Sequence, residues 1–160
     1  MKNQLVKIVE KLQSKPKWLR HRLLNIALGS TIRFMGTARI KCEALTQQHA
    51  IFYLKNHKKI RNHAGMIHPA ALTLLAQTAS ELLIGMNIPD DKTPQLKQVK
   101  MAFEMLTKNQ VTARAKISAA QAEQLVCDEQ GVIEICVELI DEKEQMPANC
   151  WITWAWKTRN

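Results

Sequence analysis

The spacing of apolar residues in this chain changes from a helical period to a strand period and back. Near the start, apolar side chains recur every three or four positions in two runs, Leu5, Ile8, Val9 and Leu12, then Trp18, Leu19, Leu23 and Ile26. This spacing is typical of amphipathic helices, with Pro16 as the break between them and Gly29 as an end. We therefore predict two short helices and assign residues 1–30 to an amphipathic N-terminal extension.

From Arg39 onwards, apolar and polar residues alternate as they do in half-buried β-strands. Six runs show the alternation, at residues 39–44, 50–55, 99–105, 111–117, 133–139 and 150–156. The polar residues between the first two runs predict a hairpin. Lys108 and Asn109 predict a tight turn between the third and fourth runs, and the Pro- and Asp-containing segment 88–94 predicts a loop.

Between the second and third strands lies the most apolar helical pattern of the chain, residues 68–85. We predict His68 as the N-cap, and Pro69 fits the first turn because its missing N–H costs no intrahelical hydrogen bond. Gly85 is a plausible helix end. A helix that is apolar on most of its sides must be largely enclosed by the rest of the protein.

The order of these elements predicts an α+β domain at residues 31–160. An antiparallel sheet with one polar face has to bury its other face, and helix 68–85 is the one helix apolar enough to receive it. We therefore expect a curved antiparallel sheet wrapped around a long central helix, with extra N-terminal helices. A chain of 160 residues is long enough for one such domain and too short for two of ordinary size.

The net charge of +9 is concentrated in the first part of the chain. Residues 1–61 hold 14 Lys and Arg against Glu10 and Glu43, whereas residues 62–160 hold 9 against 12 acidic residues. Nucleic acid, an anionic membrane surface or a phosphate-bearing ligand would each suit the basic part, and a solvated basic face is the alternative. The basic helices could lie on a membrane, or pack their apolar side on the domain.

The apolar segments and cysteines indicate a cytoplasmic protein. No apolar run approaches the roughly 20 residues needed to cross a bilayer, and charges interrupt every apolar cluster near the start, unlike in a secretory signal. The four cysteines are widely spaced without a C-x-x-C pair: Cys42, Cys127, Cys136 and Cys150. This spacing favours free thiols over a zinc site or disulfides.

A polar loop leads into the central helix and carries Asn62, His63, Gly65 and His68. Because it stands at the positive end of the helix dipole, it is a suitable place to polarise a carbonyl or hold an anion. Asn62 and His68 also have purely structural interpretations, as a turn residue and a helix cap. His57, His63 and His68 have no carboxylate partner at ligand spacing, so we predict no metal site.

Polar residues interrupt the helix itself, where Gln77 and Glu81 lie one turn apart on one face. Large side chains elsewhere, Met101, Phe103, Trp154 and Trp156, stand at strand spacing and predict core or subunit interface rather than ligand contacts.

The loop and helix together resemble a known superfamily. The sequence Asn62-x-x-Gly65-x-x-His68-Pro69-Ala70 is similar to the N-x-x-G-x-x-H-G-G motif of the PaaI-like acyl-CoA thioesterases, which have the hotdog fold. Gln77 stands where those enzymes carry a catalytic Asp or Glu in the helix. Residues 61–68 are more similar still to an uncharacterised branch of the superfamily with an N-terminal helical extension. The resemblance covers about residues 30–158.

The resemblance implies a site for an acyl-CoA or related thioester, formed between the subunits of a homodimer or homotetramer. Asn62 and His68 would then shape the carbonyl site. Residues around them would contact the substrate, namely Gly65, Pro69, Ala70 and Ala71. The basic residues Lys58, Lys59 and Arg61 would suit the phosphates of coenzyme A, which enters as substrate or ligand; no cofactor is implied.

Two departures from the motif bear on catalysis. Pro69 has no N–H where the family's glycine supplies a donor, although the amides of Ala70 and Ala71 remain at the helix end. Gln77 can hydrogen-bond a water molecule but cannot accept its proton. Glu81, one turn further on, could serve as the base instead, or could be a hydrogen-bonded polar residue of the core.

The sequence thus predicts an acyl-thioester hydrolase or binding protein, with one alternative. The alternative is a non-catalytic acyl-ligand or lipid-binding module whose basic N-terminal helices make weak contact with anionic membrane. We expect no nucleic-acid partner, because the sequence contains neither an aromatic single-strand platform nor a recognition helix.

Overall fold

The computed structural model describes residues 3–159, in which one antiparallel sheet surrounds a long helix. The helices are α1 (Gln4–Gln13), α2 (Lys17–Thr31), α3 (Arg33–Ala38), α4 (Pro69–Asn87) and α5 (Ala119–Cys127). The strands are β1 (Lys41–Leu45), β2 (His49–Leu54), β3 (Lys92–Phe103), β4 (Val111–Lys116), β5 (Gln130–Asp141) and β6 (Ala148–Thr158). Within the described residues no helix is long and apolar enough to cross a membrane.

The six strands lie in the order β1-β2-β4-β5-β6-β3, and neighbouring strands are antiparallel throughout. Side chains alternate between the two faces, as the period of two in the sequence requires. In β5, for example, Ile133, Ile135 and Val137 are buried, whereas Glu134 and Glu138 are exposed. The two ends of the sheet are β1 and β3.

Helix α4 lies on the apolar face of the sheet and contacts β2, β3, β4, β5 and β6. Leu75 and Leu83 are completely buried, and the buried indole Nε1 of Trp154 donates to Ser80 Oγ at 3.1 Å. Contact with five strands is possible only because the sheet curves around the helix. This arrangement is the hotdog fold, so the predicted α+β class and the central helix are confirmed.

The N-terminal helices pack on the domain, and one buried side chain anchors them. Asn3 Oδ1 accepts from the backbone N–H of Val6, which caps α1, while its Nδ2 donates to the carbonyls of Gly85 and Ile88 at 2.6 Å. One side-chain amide therefore bonds a backbone N–H at the start of α1 and two backbone carbonyls at the end of α4. Residues 1 and 2 of the predicted extension and residue 160 of the predicted domain lie outside the described residues. The predicted boundary between extension and domain near residue 30 stays a prediction.

Two helices are missing from the sequence prediction. Helix α3 has only six residues, one of which is Gly36. Six residues are too few to show a clear helical periodicity in the sequence. Helix α5 buries only Leu125 along its length, so its apolar pattern is weak. The capping box of Ser118 and Gln121 marks its start and is the sequence signal that could have identified it.

The predicted tight turn between the third and fourth strands is wrong. β3 pairs with β6 at one end of the sheet, whereas β4 lies between β2 and β5, so residues 104–110 cross between separate positions. Alternation reveals which face a residue occupies but not which strand lies beside it. β3 also begins at Lys92, inside the predicted loop 88–94.

Gly85 does not end the central helix, which continues to Asn87. A Cβ at Gly85 would lie 3.2 Å from Leu5 Cδ2, so the small residue makes room for α1.

A buried lysine joins β3 to α5. Lys92 is 6% exposed, and its Nζ donates to the carbonyls of Leu125, Val126 and Asp128 at 3.0, 2.7 and 2.8 Å. These carbonyls belong to the end of α5, where the helix dipole favours a positive charge. The ammonium group thus uses all three of its donors to fix the start of β3.

Replacing Lys92 with Met should lower the free energy of unfolding by about 2–3 kcal/mol, because charged hydrogen bonds are lost and buried carbonyls are left without a donor. Urea denaturation measures this. The control is Lys97→Met on the exposed part of the same strand, where Nζ donates to Gln95 Oε1 at 3.1 Å in contact with solvent and little change is expected. Equal effects of the two substitutions would contradict the assignment.

Candidate functional site

The side chain of Asn62 holds the loop before α4 in shape. Its Oδ1 accepts from the backbone N–H groups of Ala64 and Met66, both at 3.0 Å. Gly65 has a φ of +74°, a left-handed conformation that favours glycine, and nothing lies within 4 Å of a Cβ placed there. Asn62 is therefore a turn residue in this structure. Its further role beside a thioester carbonyl stays a prediction, as does substrate contact by Gly65.

His68 caps α4 with both its side chain and its backbone. Its Nδ1 accepts from the N–H of Ala70 at 3.0 Å, and its carbonyl accepts from the N–H of Ala71 at 2.9 Å. Both amides predicted to polarise a carbonyl therefore have partners here, and Pro69 offers none. Rotation of the exposed His68 side chain would release the Ala70 N–H. The Ala71 N–H would stay bonded, because it donates to the His68 backbone carbonyl within the first turn of the helix. The donor available to a ligand at this end is thus Ala70.

Gln77 and Glu81 belong to a half-buried stripe on α4 that also contains Thr73 and Leu74. Burial raises the pKa of Glu81 above its ordinary 4.5, and a hydrogen bond from the Gln77 side chain lowers it to a smaller extent. Burial acts in this direction because low-dielectric surroundings disfavour the charged carboxylate. A carboxyl group with a raised pKa that still reaches solvent is suited to take a proton from water.

The length of α4 separates these residues from its cap. Glu81 follows His68 by 13 positions, which is about 20 Å along a helix axis, and Gln77 is about 13 Å away. Groups this far apart cannot act on a single thioester carbonyl. One chain therefore brings Asn62, His68 and Ala70 together at one place, and Gln77 and Glu81 at another.

An apolar cleft of about 220 Å³ opens beside the start of α4. Its walls are the first turn of the helix and the segment after β3, with Ile67, Pro69, Leu72, Phe103, Glu104, Met105, Leu106 and Thr107. Phe103 is 49% exposed and Leu106 57% exposed, so two large apolar side chains of the cleft are in contact with solvent. The cleft is smaller than the 300 Å³ or more of ordinary ligand pockets.

Met105 ends the predicted strand 99–105 and Leu106 lies just beyond it, so the sequence pattern identifies neither as a cleft residue. Of the large side chains at strand spacing, Trp154 and Trp156 are buried in the core, whereas Phe103 is not a core residue.

Lys58, Lys59 and Arg61 are exposed on a 3₁₀ turn and the residue after it. Arg61 Nε donates to Asn56 Oδ1 at 2.9 Å, which fixes the turn beside the Asn62 loop. His57 Nε2 lies 3.0 Å from the carbonyl of Ala38. Among the described residues, no three His, Cys, Asp or Glu side chains are grouped as ligands for a metal ion.

A buried carboxylate supports the site from behind and was not predicted. Asp141 accepts from Thr107 Oγ1 at 3.2 Å and Asn109 Nδ2 at 3.0 Å, and from two backbone N–H groups of the turn that follows. Burial alone would raise the pKa of Asp141, but these hydrogen bonds outweigh it and lower the pKa. The carbonyl of Thr107 in turn accepts from Ile67, next to His68. Asp141 thus positions the cleft and the start of α4.

Comparison with known proteins identifies a family and a shared fold. Residues 20–156 match the family described as a domain of unknown function, DUF4442. No curated protein matches the chain significantly.

Three solved structures illustrate the shared fold. A protein of unknown function from Pseudomonas aeruginosa, described as a "Probable Thioesterase", has a TM-score of 0.78 at 17% identity, over 86% of this chain and 95% of that one. A thioesterase from Haemophilus influenzae has a TM-score of 0.70 at 13% identity, over 86% and 90%. A mutant of the phenylacetic acid degradation protein PaaI from Thermus thermophilus has a TM-score of 0.63 at 18% identity, over 78% and 98%.

At such identities the similarity establishes the fold alone. It confirms the predicted resemblance to PaaI-like hotdog proteins at that level.

Replacing Glu81 with Gln should stabilise the folded protein at about pH 7. Because the pKa of Glu81 is raised by folding, the wild type loses stability as the pH rises from its ordinary 4.5 through the folded value, and Gln removes that loss. Urea unfolding at about pH 7 and pH 4 should show the gain at the higher pH only. The exposed Glu142→Gln serves as the control; a loss of stability in Glu81→Gln at the higher pH would refute the interpretation.

Proposed function

The chain belongs to the DUF4442 family, a domain family of unknown function, and we propose that it is an acyl-thioester hydrolase acting on acyl-CoA or a related thioester. The observation that carries the proposal is the half-buried Glu81, whose pKa is raised on the stripe of α4 that the sheet leaves open. Such a carboxyl group can act as a general base near neutral pH. The hotdog fold shared with thioesterases supports the same reaction class.

The active form in this proposal is a homodimer joined through β3. This strand has 12 residues and, in one chain, has a neighbour only on the side of β6. At the other end of the sheet, the Asn25 side chain is hydrogen-bonded to the outer edge of β1. It accepts from the Cys42 N–H at 2.7 Å and donates to the Cys42 carbonyl at 3.1 Å. An unpaired strand edge favours pairing with another chain. Of the two edge strands, β3 is the longer, and β1 already has backbone groups hydrogen-bonded to Asn25.

Two-fold pairing of β3 would assemble a complete site. Helix α4 and β3 are connected by residues 88–91 and run in opposite directions, so the cleft at Phe103 and Pro69 lies at one end of both. Antiparallel pairing sets that end beside the other end of the partner's helix. The cap at His68 would then face Gln77 and Glu81 of the partner subunit, which removes the separation within one chain.

The reaction follows from these positions. The acyl chain lies in the apolar cleft, and the thioester oxygen accepts from the Ala70 N–H after His68 turns away. Glu81 of the other subunit takes a proton from water held by Gln77, and the resulting hydroxide attacks the carbonyl carbon. When the tetrahedral intermediate collapses, the C–S bond breaks and protonated Glu81 returns the proton to the thiolate, which leaves a carboxylic acid and a free thiol.

The basic residues Lys58, Lys59 and Arg61 would bind the phosphates of coenzyme A. All three are exposed beside the Asn62 loop, and their cationic side chains suit a diphosphate.

A second candidate is binding without hydrolysis. It is favoured by Pro69, which has no N–H, and by Gln77, which cannot accept a proton. In that case the protein keeps the cleft and the cap but holds a thioester or fatty acyl ligand.

Thiol release from a panel of short, medium, long and aromatic acyl-CoAs tests the proposal. We expect Glu81→Gln and His68→Ala each to lower kcat/KM at least about 100-fold, because a base and a ligand-responsive cap are removed. Glu142→Gln is the matched control. Absence of wild-type turnover, with turnover appearing in Gln77→Asp, would instead establish the binding module.

Mixing the two inactive variants tests the shared site. Random exchange of subunits between Glu81→Gln and His68→Ala gives half heterodimers, each with one intact site, so about a quarter of wild-type activity should return. If activity does not return although native mass spectrometry shows exchange, the two residues act within one chain or not at all.

A further inference from the structure

The helices α2 and α3 carry a second set of apolar side chains that the domain does not use. Leu24, Leu28 and Met35 are buried against the body of the protein. Trp18, Ile26 and Phe34 are instead 68%, 59% and 66% exposed. Packing of the extension on the domain, one of the two alternatives from the sequence, therefore accounts for only part of its apolar residues.

Trp18, Arg22 and Ile26 follow one another at four-residue spacing, so they share one face of α2. Helix α3 is fixed against α2, because a Cβ at Gly36 would come within 2.6 Å of the Gly29 carbonyl oxygen. We call Trp18, Arg22, Ile26, Arg33 and Phe34 the outer surface of α2 and α3. All five side chains are exposed.

The outer surface lies in a strongly basic part of the chain. Residues 3–40 contain eight basic residues, Lys7, Lys11, Lys15, Lys17, Arg20, Arg22, Arg33 and Arg39, and the single acidic residue Glu10. Exposed Trp and Phe with Arg and Lys beside them match the interface of an anionic bilayer, where the rings enter the headgroup region and the cations meet lipid phosphates.

We propose that the outer surface of α2 and α3 docks the protein on membranes that contain anionic phospholipid. A second copy of this chain fits less well, because a two-fold contact would bring Arg22 and its basic neighbours onto their own copies. The aliphatic Ile26 on the same face as Trp18 suits a lipid interface better than a nucleic-acid site, in which bases stack on aromatic rings along a charged groove. The proposal does not depend on hydrolysis.

Co-sedimentation of the full chain with vesicles tests the docking. We expect binding to phosphatidylcholine vesicles that contain about a third phosphatidylserine, and much weaker binding to phosphatidylcholine alone. Trp18→Ser with Phe34→Ser, and separately Arg22→Glu with Arg33→Glu, should each lower the partition coefficient at least about tenfold. Because these side chains are exposed, circular dichroism should show unchanged folding.

The matched controls are Val132→Ser, which removes an apolar side chain that is 62% exposed on the sheet, and Lys143→Glu on an exposed turn. Both should bind like the wild type. Three results would overturn the proposal: no binding of the wild type to anionic vesicles, equal binding by all variants, or an oligomer that dissociates in the Trp18 and Phe34 double variant. An RNA gel shift lost in the arginine double variant, without vesicle binding, would assign the surface to nucleic acid instead.

Discussion

Enclosure of α4 is the constraint on which the rest of the structure depends. The helix is apolar on most of its sides, and a flat sheet would cover only one of them. Curvature of the six strands brings five of them into contact with the helix and buries Leu75 and Leu83 completely. Each such leucine contributes about 2–3 kcal/mol when removed from water, so the curved arrangement is strongly preferred to an open one.

The same enclosure determines where chemistry is possible. The sheet leaves one stripe of α4 half open, and the polar residues Gln77 and Glu81 lie on it. Burial on that stripe raises the pKa of Glu81, which costs folding stability at neutral pH and at the same time makes the carboxyl group a stronger base. An apolar residue at this position would avoid that cost, so the presence of a carboxyl group fits the role of base proposed above.

The sequence predicts the parts of this protein whose pattern is long and regular. The six strands and the central helix have periods that follow from burial on one face, and His68-Pro69 identifies the helix start through local backbone chemistry. Sheet order does not follow from such patterns, which is why β3 and β4 were predicted to be joined by a tight turn. Asp141 was missed for a similar reason: its partners Thr107 and Asn109 are 34 and 32 residues away and meet it only in the folded protein.

The N-terminal extension affects the site indirectly, through the ends of the sheet. A six-stranded sheet has two edges, and either could pair with a second chain. Asn25 on α2 fills the hydrogen-bonding positions of Cys42 on β1, much as a neighbouring strand would, and α2 packs against that strand. Pairing through β1 is thereby disfavoured, and β3 is left as the edge that can join two subunits. Since β3 ends at the cleft beside α4, pairing through this edge, as in the dimer proposed above, is the arrangement in which both parts of the candidate site would meet.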